Sequence, residues 1–389
     1  MKQPEGYHSG SPDTVWQLNK TLYGLKQSPK EWYDLLSAKL TEIGLEPCPS
    51  DQALWRTKSS TPTPTTPRIY VLHWVDDLLI SCRDQDVLNT FKKELLTHFK
   101  GRDLGDAKSY LNIHIARDRK ARTLKISQPN HIQDLLTKLG LEECKPKDVP
   151  LSTGVDLRAT DAKDKPFTDG TKYAECVGAL MYIMSCTRPD LAYTASSLAK
   201  HMANPCERHW TILKGVGRYL NATKDLGILY GTSPDGLTGY TDSDYAACKD
   251  TRRSRTGFVF TLYGGAVSWS SKQQSVVATS SAESEYIAAS LAARECIWLR
   301  RIAHFLEVPF DKSIPLFIDN QSALHMATNS SDSARTKHID VHYHFLRNVV
   351  NRHLLRMSFI STDDNPSDMF TKALSRDKFS KFAKLIGAS

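Results

Sequence analysis

The sequence predicts an α/β (α+β) chain built from more than one domain, and three observations carry the expectation. A chain of 389 residues is long enough for two or three separate cores. Alternating apolar runs and 3.6-residue apolar periodicity follow one another in both halves. Between the halves, residues 148–170 ("DVPLSTGVDLRATDAKDKPFTDG") are polar and turn-rich, the character of a linker across a surface.

Taken in chain order, residues 59–68 ("SSTPTPTTPR") hold too much Pro and Thr for a helix or a central strand and read as an exposed loop. The apolar strand "IYVLHWVDDLLISC" follows, interrupted by the adjacent acids Asp76 and Asp77. Burying two unpaired charges there would be costly. "QDVLNTFKKELLTHFK" carries Val87, Leu88, Phe91, Leu95, Leu96 and Phe99 at helical spacing, and "SYLNIHIARD" alternates like a strand. A helical block at roughly 172–222 contains "CTRPDLAYTASSLAKHM" and "HWTILKGVGRYL". Beyond 236, three strand-like runs ("LTGYTDSDYA", "TGFVFTLYG", "AVSWSS") precede a long amphipathic helix near 281–306. A strand "IPLFIDN", a helix "HIDVHYHFLRNVVNRH", a strand "LLRMSFIS" and a last helix near 366–374 complete the order β-β-β-α-β-α-β-α, a compact nuclease-like order.

Composition excludes several classes. With 40% apolar and 24% charged residues the chain is neither disorder-like nor membrane-like, and no apolar run approaches the ~18 residues that span a bilayer. The start, "MKQPEGYHSG", lacks the apolar core of a signal peptide, so an intracellular location is expected, in a cytoplasmic particle or the nucleus. Eight cysteines are scattered singly without zinc-ligand spacing and are expected to be reduced thiols. A net charge of +8 suits a polyanionic partner.

The C-terminal unit places acids at the ends of its elements. Asp242 ends the first strand in "GYTDSDYA", Glu285 lies in the first turns of the long helix in "SSAESEYIAAS", Asp319 ends the fourth strand in "LFIDNQSA", and Asp368 begins the last helix in "NPSDMFTKAL". If the four meet at one sheet edge they repel one another unless cations lie between them, and oxygen-only ligands suit Mg²⁺ or Mn²⁺. Two such ions activate a water and stabilise the leaving oxygen of a phosphodiester. The competing reading makes Asp319 and Asp368 helix caps, with Asp244 and Glu283 solvated neighbours.

At these residues the sequence resembles a known family. "GYTDSDYAACKDTRRSRTGFVF", "AVSWSSKQQSVVATSSAESEYIAAS", "IDNQSAL" and "TKHIDVHYHFLRNVV" are similar to the ribonuclease H domain of copia-type LTR-retrotransposon Pol polyproteins. The resemblance implies a ribonuclease H-like mixed five-stranded sheet with helices. It also implies that Asp242, Glu285, Asp319 and Asp368 are the catalytic metal ligands, holding two Mg²⁺ (or Mn²⁺) and cutting the RNA strand of an RNA–DNA hybrid. Glu285 is preferred to Glu283 because "EYIA" matches the family's Glu-apolar-apolar-Ala step. His338, His342 and His344 are either surface and packing residues or include a proton shuttle or phosphate contact, and His338 and Lys272 are carried as nucleic-acid contacts.

The resemblance extends over the N-terminal half. "MKQPEGY", "LNKTLYGLKQSPKEWYDLL", the Asp-Asp strand, "DLGDAKSYLNIHI" and "SQPNHIQDLL" resemble the palm of copia-type reverse transcriptase, and the helical block its thumb and connection. It implies that a hairpin turn carries Asp76 and Asp77 to the palm surface as ligands of two Mg²⁺ ions at a primer–template. Gln27 would line the nucleotide and template side, with Lys26 and Lys30 available for phosphates. Trp74 stands where the family has Tyr near the primer end, and Asn112 replaces a Gly, where a larger side chain is expected to disturb close packing. The family's first catalytic Asp and its fingers lie upstream of the stretch matching "MKQPEGY". A truncated palm without polymerase activity is therefore expected, unless a second subunit supplies the missing part.

The expected domains are a partial palm at 1–147, a linker and helical thumb or connection at 148–232, a ribonuclease H-like domain at 233–376 and a C-terminal tail at 377–389. Two functional readings stand at this point. One is a ribonuclease H-type endonuclease acting on RNA–DNA hybrids with no membrane association; the other is a non-catalytic nucleic-acid-binding relic or co-opted retroelement protein. An unrelated metal-dependent phosphatase or nuclease would keep the acids without the polymerase-like motifs.

Overall fold

Pairing and burial divide the chain into two units, Met1–Asp106 and Ala107–Ser389. The computed structural model describes residues 1–11, 13–58, 67–328 and 340–389, the first two of the last segment by backbone alone. Most of the loop expected at 59–68, and His338, lie outside the described residues. Among the described residues, no helix is long and apolar enough to cross a membrane.

In the first unit, helix α1 (Ser28–Glu42) starts with a proline in its first turn, where the fixed φ suits a helix and no N–H is lost. Four antiparallel strands follow: β1 (Leu45–Cys48), β2 (Asp51–Thr57), β3 (Ile69–Trp74) and β4 (Asp77–Cys82), side by side in chain order. Helix α2 (Gln85–His98) is capped by Asp84, whose carboxylate accepts the N–H groups of Asp86 and Val87. Leu36 and Leu40 from α1, Trp55 and Val71 from the sheet, and Phe91 and Leu95 from α2 form its core. The apolar run "IYVLHWVDDLLISC" is thus a hairpin, β3 to β4, with one face on that core.

The second unit opens with β5 (Ser109–Tyr110), β6 (Ile113–Asp118) and β7 (Thr123–Ser127), then helices α3 (Pro129–Leu139), α4 (Gly170–Cys186), α5 (Ala192–Ala199) and α6 (Glu207–Ala222). Strand β8 (Ile228–Tyr230) returns to pair antiparallel with β7. That pairing moves the first boundary from the expected residue 147 to Asp106: the strands of 109–127 are stitched to a strand downstream of the helical block. Tyr110 pairs with Ile113, so Leu111 and Asn112 form a two-residue hairpin turn, both at positive φ (50° and 59°). This corrects the packing expected of Asn112. It is exposed, and the position asks for a left-handed backbone, which Asn tolerates better than most residues.

Strands β9 (Thr238–Asp244), β10 (Arg255–Leu262) and β11 (Gly265–Gln273) form an antiparallel meander. Helix α7 (Ser281–Phe305) leads to β12 (Ile314–Ile318), which lies parallel to β9; α8 (Gln321–Thr328) and α9 (Asp340–Asn351) lead to β13 (Leu355–Phe359), parallel to β12. The sheet order is β11-β10-β9-β12-β13, the mixed five-stranded sheet that the sequence implied. One face, with Phe258, Phe260, Leu316 and Ile318, packs under α7 and α9. The other, with Val259 and Tyr240, shares one core with α3 to α6 and the chain's end.

That shared core dissolves the boundary expected at 232. Trp269 of β11 donates its indole N–H to the Met184 carbonyl of α4 at 3.1 Å, and Arg255 of β10 donates to Ser196 of α5 at 2.7 Å. Inside the helical block, Arg188 and Asp190 of "CTRPD" form a fully buried bidentate pair, which the Tyr219 hydroxyl joins at 2.7 Å. The segment 148–170 is fastened as well: Asp156, Asp161 and Asp164 surround Arg158, and Arg208 of α6 pairs with Asp156 and Asp164.

Two expectations near the C-terminus are corrected. The helix expected at 366–374 is a short 3₁₀ turn, Pro366–Phe370, and residues 377–389 are no tail. Helix α10 (Arg376–Leu385) buries Phe379, Phe382 and Ala383 in the shared core, and its many charges disguise that stripe in the sequence.

Candidate active site

The parallel pairing of β9 with β12 creates the site. Thr241 lies opposite Ile318, so the next residues, Asp242 and Asp319, leave neighbouring strands side by side at their carboxyl ends. Helix α7 packs on β9 and brings Glu285 over the same edge, where the Ser243 backbone N–H donates to Glu285 Oε1 at 3.2 Å. One ligand oxygen from each of Asp242, Glu285 and Asp319 lies within 4.8 Å of the others; among the described residues no other group of three such side chains closes this tightly. Asp242 and Glu285 are 3% and 6% exposed, while Asp319 is half-buried and leaves the edge open to solvent.

Asn320, not Asp319, caps α8 by accepting the Ala323 N–H at 2.9 Å, and Asn365, not Asp368, accepts the Ser367 N–H at 3.2 Å. Glu283 is buried and accepts from the Thr279 N–H and hydroxyl at 2.8 and 2.5 Å, which ties down the entry to α7. It therefore stands apart from the cluster that Glu285 joins.

The fourth acid stands differently. Asp368 is fully buried in the 3₁₀ turn, and two ammonium groups flank its carboxylate: Lys372 Nζ lies 2.9 Å from Oδ1 and Lys378 Nζ, from α10, 2.9 Å from Oδ2. The turn is held against the sheet by hydrogen bonds. Asn365 Nδ2 donates to the Thr241 carbonyl at 3.1 Å, and the Thr371 hydroxyl donates to Asp242 Oδ2. Gly257, opposite Asp242 in the β9–β10 pairing, makes the approach possible: a Cβ there would lie 2.7 Å from Thr371 Cγ2 and 2.8 Å from Phe370 Cβ.

The electrostatics are those of a crowded anionic edge. Burial pushes Asp242 up to about 7; Lys372 pulls it down, and Asp368 and Asp319 add to the rise. Glu285 is raised well above the ordinary carboxylate range, first by burial and then by the charges of Asp242 and Asp319. Burial also raises Asp244, half-buried at the end of β9. Glu285 Oε2 is buried without a hydrogen-bond partner among the described residues. A cluster of hard oxygen donors with one orphaned oxygen fits a divalent cation of the Mg²⁺ or Mn²⁺ kind, which would supply the donor-seeking charge that the protein leaves out.

The other acids lie in the first unit. Trp74 pairs with Asp77, so Val75 and Asp76 form the two-residue turn between β3 and β4, and both acids are exposed at its tip. Val75 holds φ +53°, a region that Val rarely adopts, and Trp32 of α1 donates its indole N–H to the Val75 carbonyl at 2.6 Å. The start of α1, with exposed Lys26, Gln27 and Lys30, belongs to the helix that grips this turn. Trp74 is 62% exposed beside it. Among the described residues no third carboxylate gathers with Asp76 and Asp77. Lys272 is exposed on β11, and His342 of α9 bonds the Ser290 hydroxyl at 3.0 Å, a packing role.

Sequence reasoning named the acids and missed what holds them. Lys372, Lys378, Thr371 and Gly257 meet the acids only in the fold. The run "DMFTK" from Asp368 to Lys372 was the available signal, since a lysine four residues on from an acid faces it across one helical turn.

Residues 1–153 match the family model "Reverse transcriptase (RNA-dependent DNA polymerase)". The whole chain is 38% identical over 392 residues to the Pol polyprotein from transposon TNT 1-94 of Nicotiana tabacum, of which it covers 29%. It is 30% identical over 294 residues to the transposon Ty5-1 protein YCL074W of Saccharomyces cerevisiae, covering 75% of this chain and 92% of that protein. A crystal structure of LC11-RNase H1 in complex with an RNA/DNA hybrid aligns with 35% of this chain and 93% of its own, at 15% identity and a TM-score of 0.27. The chain spans 26 to 29% of the length of the Pol polyproteins it matches throughout. It belongs to the family of copia-type retrotransposon Pol polyproteins.

Proposed function

We propose that this chain is a ribonuclease H-type endonuclease joined to part of a reverse transcriptase, and that it cuts the RNA strand of RNA–DNA hybrids at the edge formed by Asp242, Glu285, Asp319 and Asp368. The observation that carries the reading is the closure of three carboxylates within 4.8 Å of one another, one of them with a buried oxygen that has no hydrogen-bond partner among the described residues. Divalent ions bound there, two per site, would supply charge to activate a water and stabilise the leaving oxygen.

The chain's own residues do the positioning. The paired ends of β9 and β12 fix Asp242 and Asp319, the Ser243 N–H orients Glu285, and Thr371 orients Asp242. The half-buried side of Asp319, where Thr362 donates to Oδ2 at 2.8 Å, is the open side through which a phosphodiester reaches the edge. Lys272 and His338 are proposed backbone contacts to the hybrid. In the first unit, Asp76 and Asp77 are proposed metal ligands of a polymerase site beside Lys26, Gln27, Lys30 and Trp74. With no third carboxylate gathered among the described residues, primer extension would need an acid from elsewhere, such as a second subunit.

The test is strand-specific cleavage. A hybrid labelled on each strand in turn, incubated with the chain and Mg²⁺ or Mn²⁺, should lose its RNA strand and keep its DNA. Salt-sensitive hybrid binding with no cleavage at any divalent ion concentration would replace this reading with a non-catalytic nucleic-acid-binding protein.

A further inference from the structure

We infer that Lys372 is a built-in counter-cation of the acid edge, occupying the charge position that a second divalent ion must take, so that the site fills in two unequal steps. The inference rests on the proposed metal-dependent function and goes beyond it, because it assigns the order of loading and the residue that sets it.

Three observations support it. Asp242, Glu285 and Asp319 are drawn together with Glu285 Oε2 unpartnered among the described residues, whereas both oxygens of Asp368 lie 2.9 Å from ammonium groups, in ion pairs without hydrogen-bond alignment. The two lysines are anchored unequally. Lys378 leaves α10, whose Phe379 and Phe382 are locked in the core, and its Nζ lies 5.4 Å from the Phe382 ring centre and 3.5 Å from Asp363. Lys372 leaves the short segment between the 3₁₀ turn and α10, pairs among the described residues with Asp368, and has a side chain 39% exposed. Its ammonium is also the charge that Asp242 and Asp244 feel most strongly among their neighbours.

A first divalent ion meets three gathered carboxylates that form no ion pair among the described residues. A second, shared with Asp368, has to expel Lys372, whose side chain has an open path to solvent. The lysine thereby keeps the metal-free edge from repelling itself apart and raises the ion concentration at which the second step occurs. Lys372 is a positioning residue in this account, since it acts through Asp368.

The test uses Ca²⁺ and Mg²⁺ titrations of the full chain followed by calorimetry and by thermal melting, with Lys372→Met beside the parent. The parent should show a tight step and a step at least roughly tenfold weaker, a difference of 1.4 kcal/mol or more. In Lys372→Met the metal-free chain should melt lower, the weaker step should tighten by about tenfold, and the melting rise on adding metal should exceed that of the parent. A merely structural lysine would lower the metal-free melt and leave the metal-dependent increment unchanged, which would overturn the inference. Lys372→Arg keeps the charge and should restore the parent's two-step isotherm; failure of that rescue would count equally against it. The outcomes separate the two readings. A Lys372-sensitive isotherm without hybrid cleavage would retain this inference and discard the nuclease, whereas Asp242-dependent cleavage with identical isotherms would do the reverse.

Discussion

Replacing Gly257 by Ala adds one methyl group at the point where β10 meets the 3₁₀ turn. The new Cβ would lie 2.7 Å from Thr371 Cγ2, 2.8 Å from Phe370 Cβ and 3.0 Å from the Ser367 carbonyl oxygen, the closest of them 0.7 Å inside ordinary contact at 3.4 Å. Phe370 Cβ and the Ser367 carbonyl move only with the backbone, the Thr371 methyl can turn away only by giving up the hydroxyl's hydrogen bond to Asp242, and Phe370 and Thr371 are fully buried. The turn has to move outward, which costs about 2 kcal/mol by analogy with overpacked cores and lowers the melting temperature by roughly 6 °C. The movement also breaks the Thr371–Asp242 hydrogen bond and shifts Asp368, so hybrid cleavage should fall by roughly tenfold to a hundredfold. Gly178→Ala is the matched control. A Cβ there meets nothing within 4 Å on the exposed side of α4, and helix propensity predicts stabilisation of about 1 kcal/mol with unchanged cleavage. Melting curves and initial rates measured side by side decide the matter: a Gly257→Ala chain that melts and cleaves like the parent would refute the packing argument.

Other elements give independent tests. Asp190→Ala strands the fully buried Arg188 guanidinium and should cost about 4 kcal/mol, seen as a melting temperature lower by roughly 10 °C; a drop under 2 °C would contradict the buried pair. Val75→Gly relieves a left-handed Val at the Asp76–Asp77 turn and should stabilise the chain by about 1 kcal/mol in denaturant titrations. Trp32→Phe should instead loosen the same turn and speed amide exchange at Asp76 and Asp77. Burial holds His201, stacked 3.9 Å from His209, down at about 4 against an ordinary 6.5. Below 6.5 the unfolded chain takes up a proton that the folded chain refuses until about 4, so this contribution, about 3 kcal/mol in full, is present at neutral pH and is lost as pH falls. The melting temperature should therefore fall less between pH 7 and pH 5 in His201→Gln than in the parent, and equal slopes would exclude His201 as the cause.

The strands and long helix around the acid edge were legible because their burial follows simple periods. "GFVF" and "IPLFI" are continuous apolar runs, the first buried throughout and the second at every other residue with the rest half-buried, and α7 begins at a Ser-capped acidic turn. The acids were legible because a carboxylate at the end of each element has few structural uses. What stayed hidden depends on contacts distant in sequence. The return of β8 to β7 set the unit boundary, and no local pattern announces a three-residue strand. Helix α10 reads as a charged tail because only Phe379, Phe382 and Ala383 face the core among ten residues. The lysines on Asp368 come from the segments that follow it, and their role emerges only when α10 folds back.

The most direct measurement of the central claim compares the parent chain with Asp242→Asn on an RNA–DNA hybrid in Mg²⁺ and in Mn²⁺. The substitution keeps the shape of the side chain and removes one ligand charge from the cluster. The account predicts RNA-strand cleavage by the parent that disappears with chelator, and loss of at least roughly a hundredfold in rate in the variant with the fold retained, a barrier rise of about 2.7 kcal/mol. Equal cleavage by parent and variant, or none by either, would contradict it.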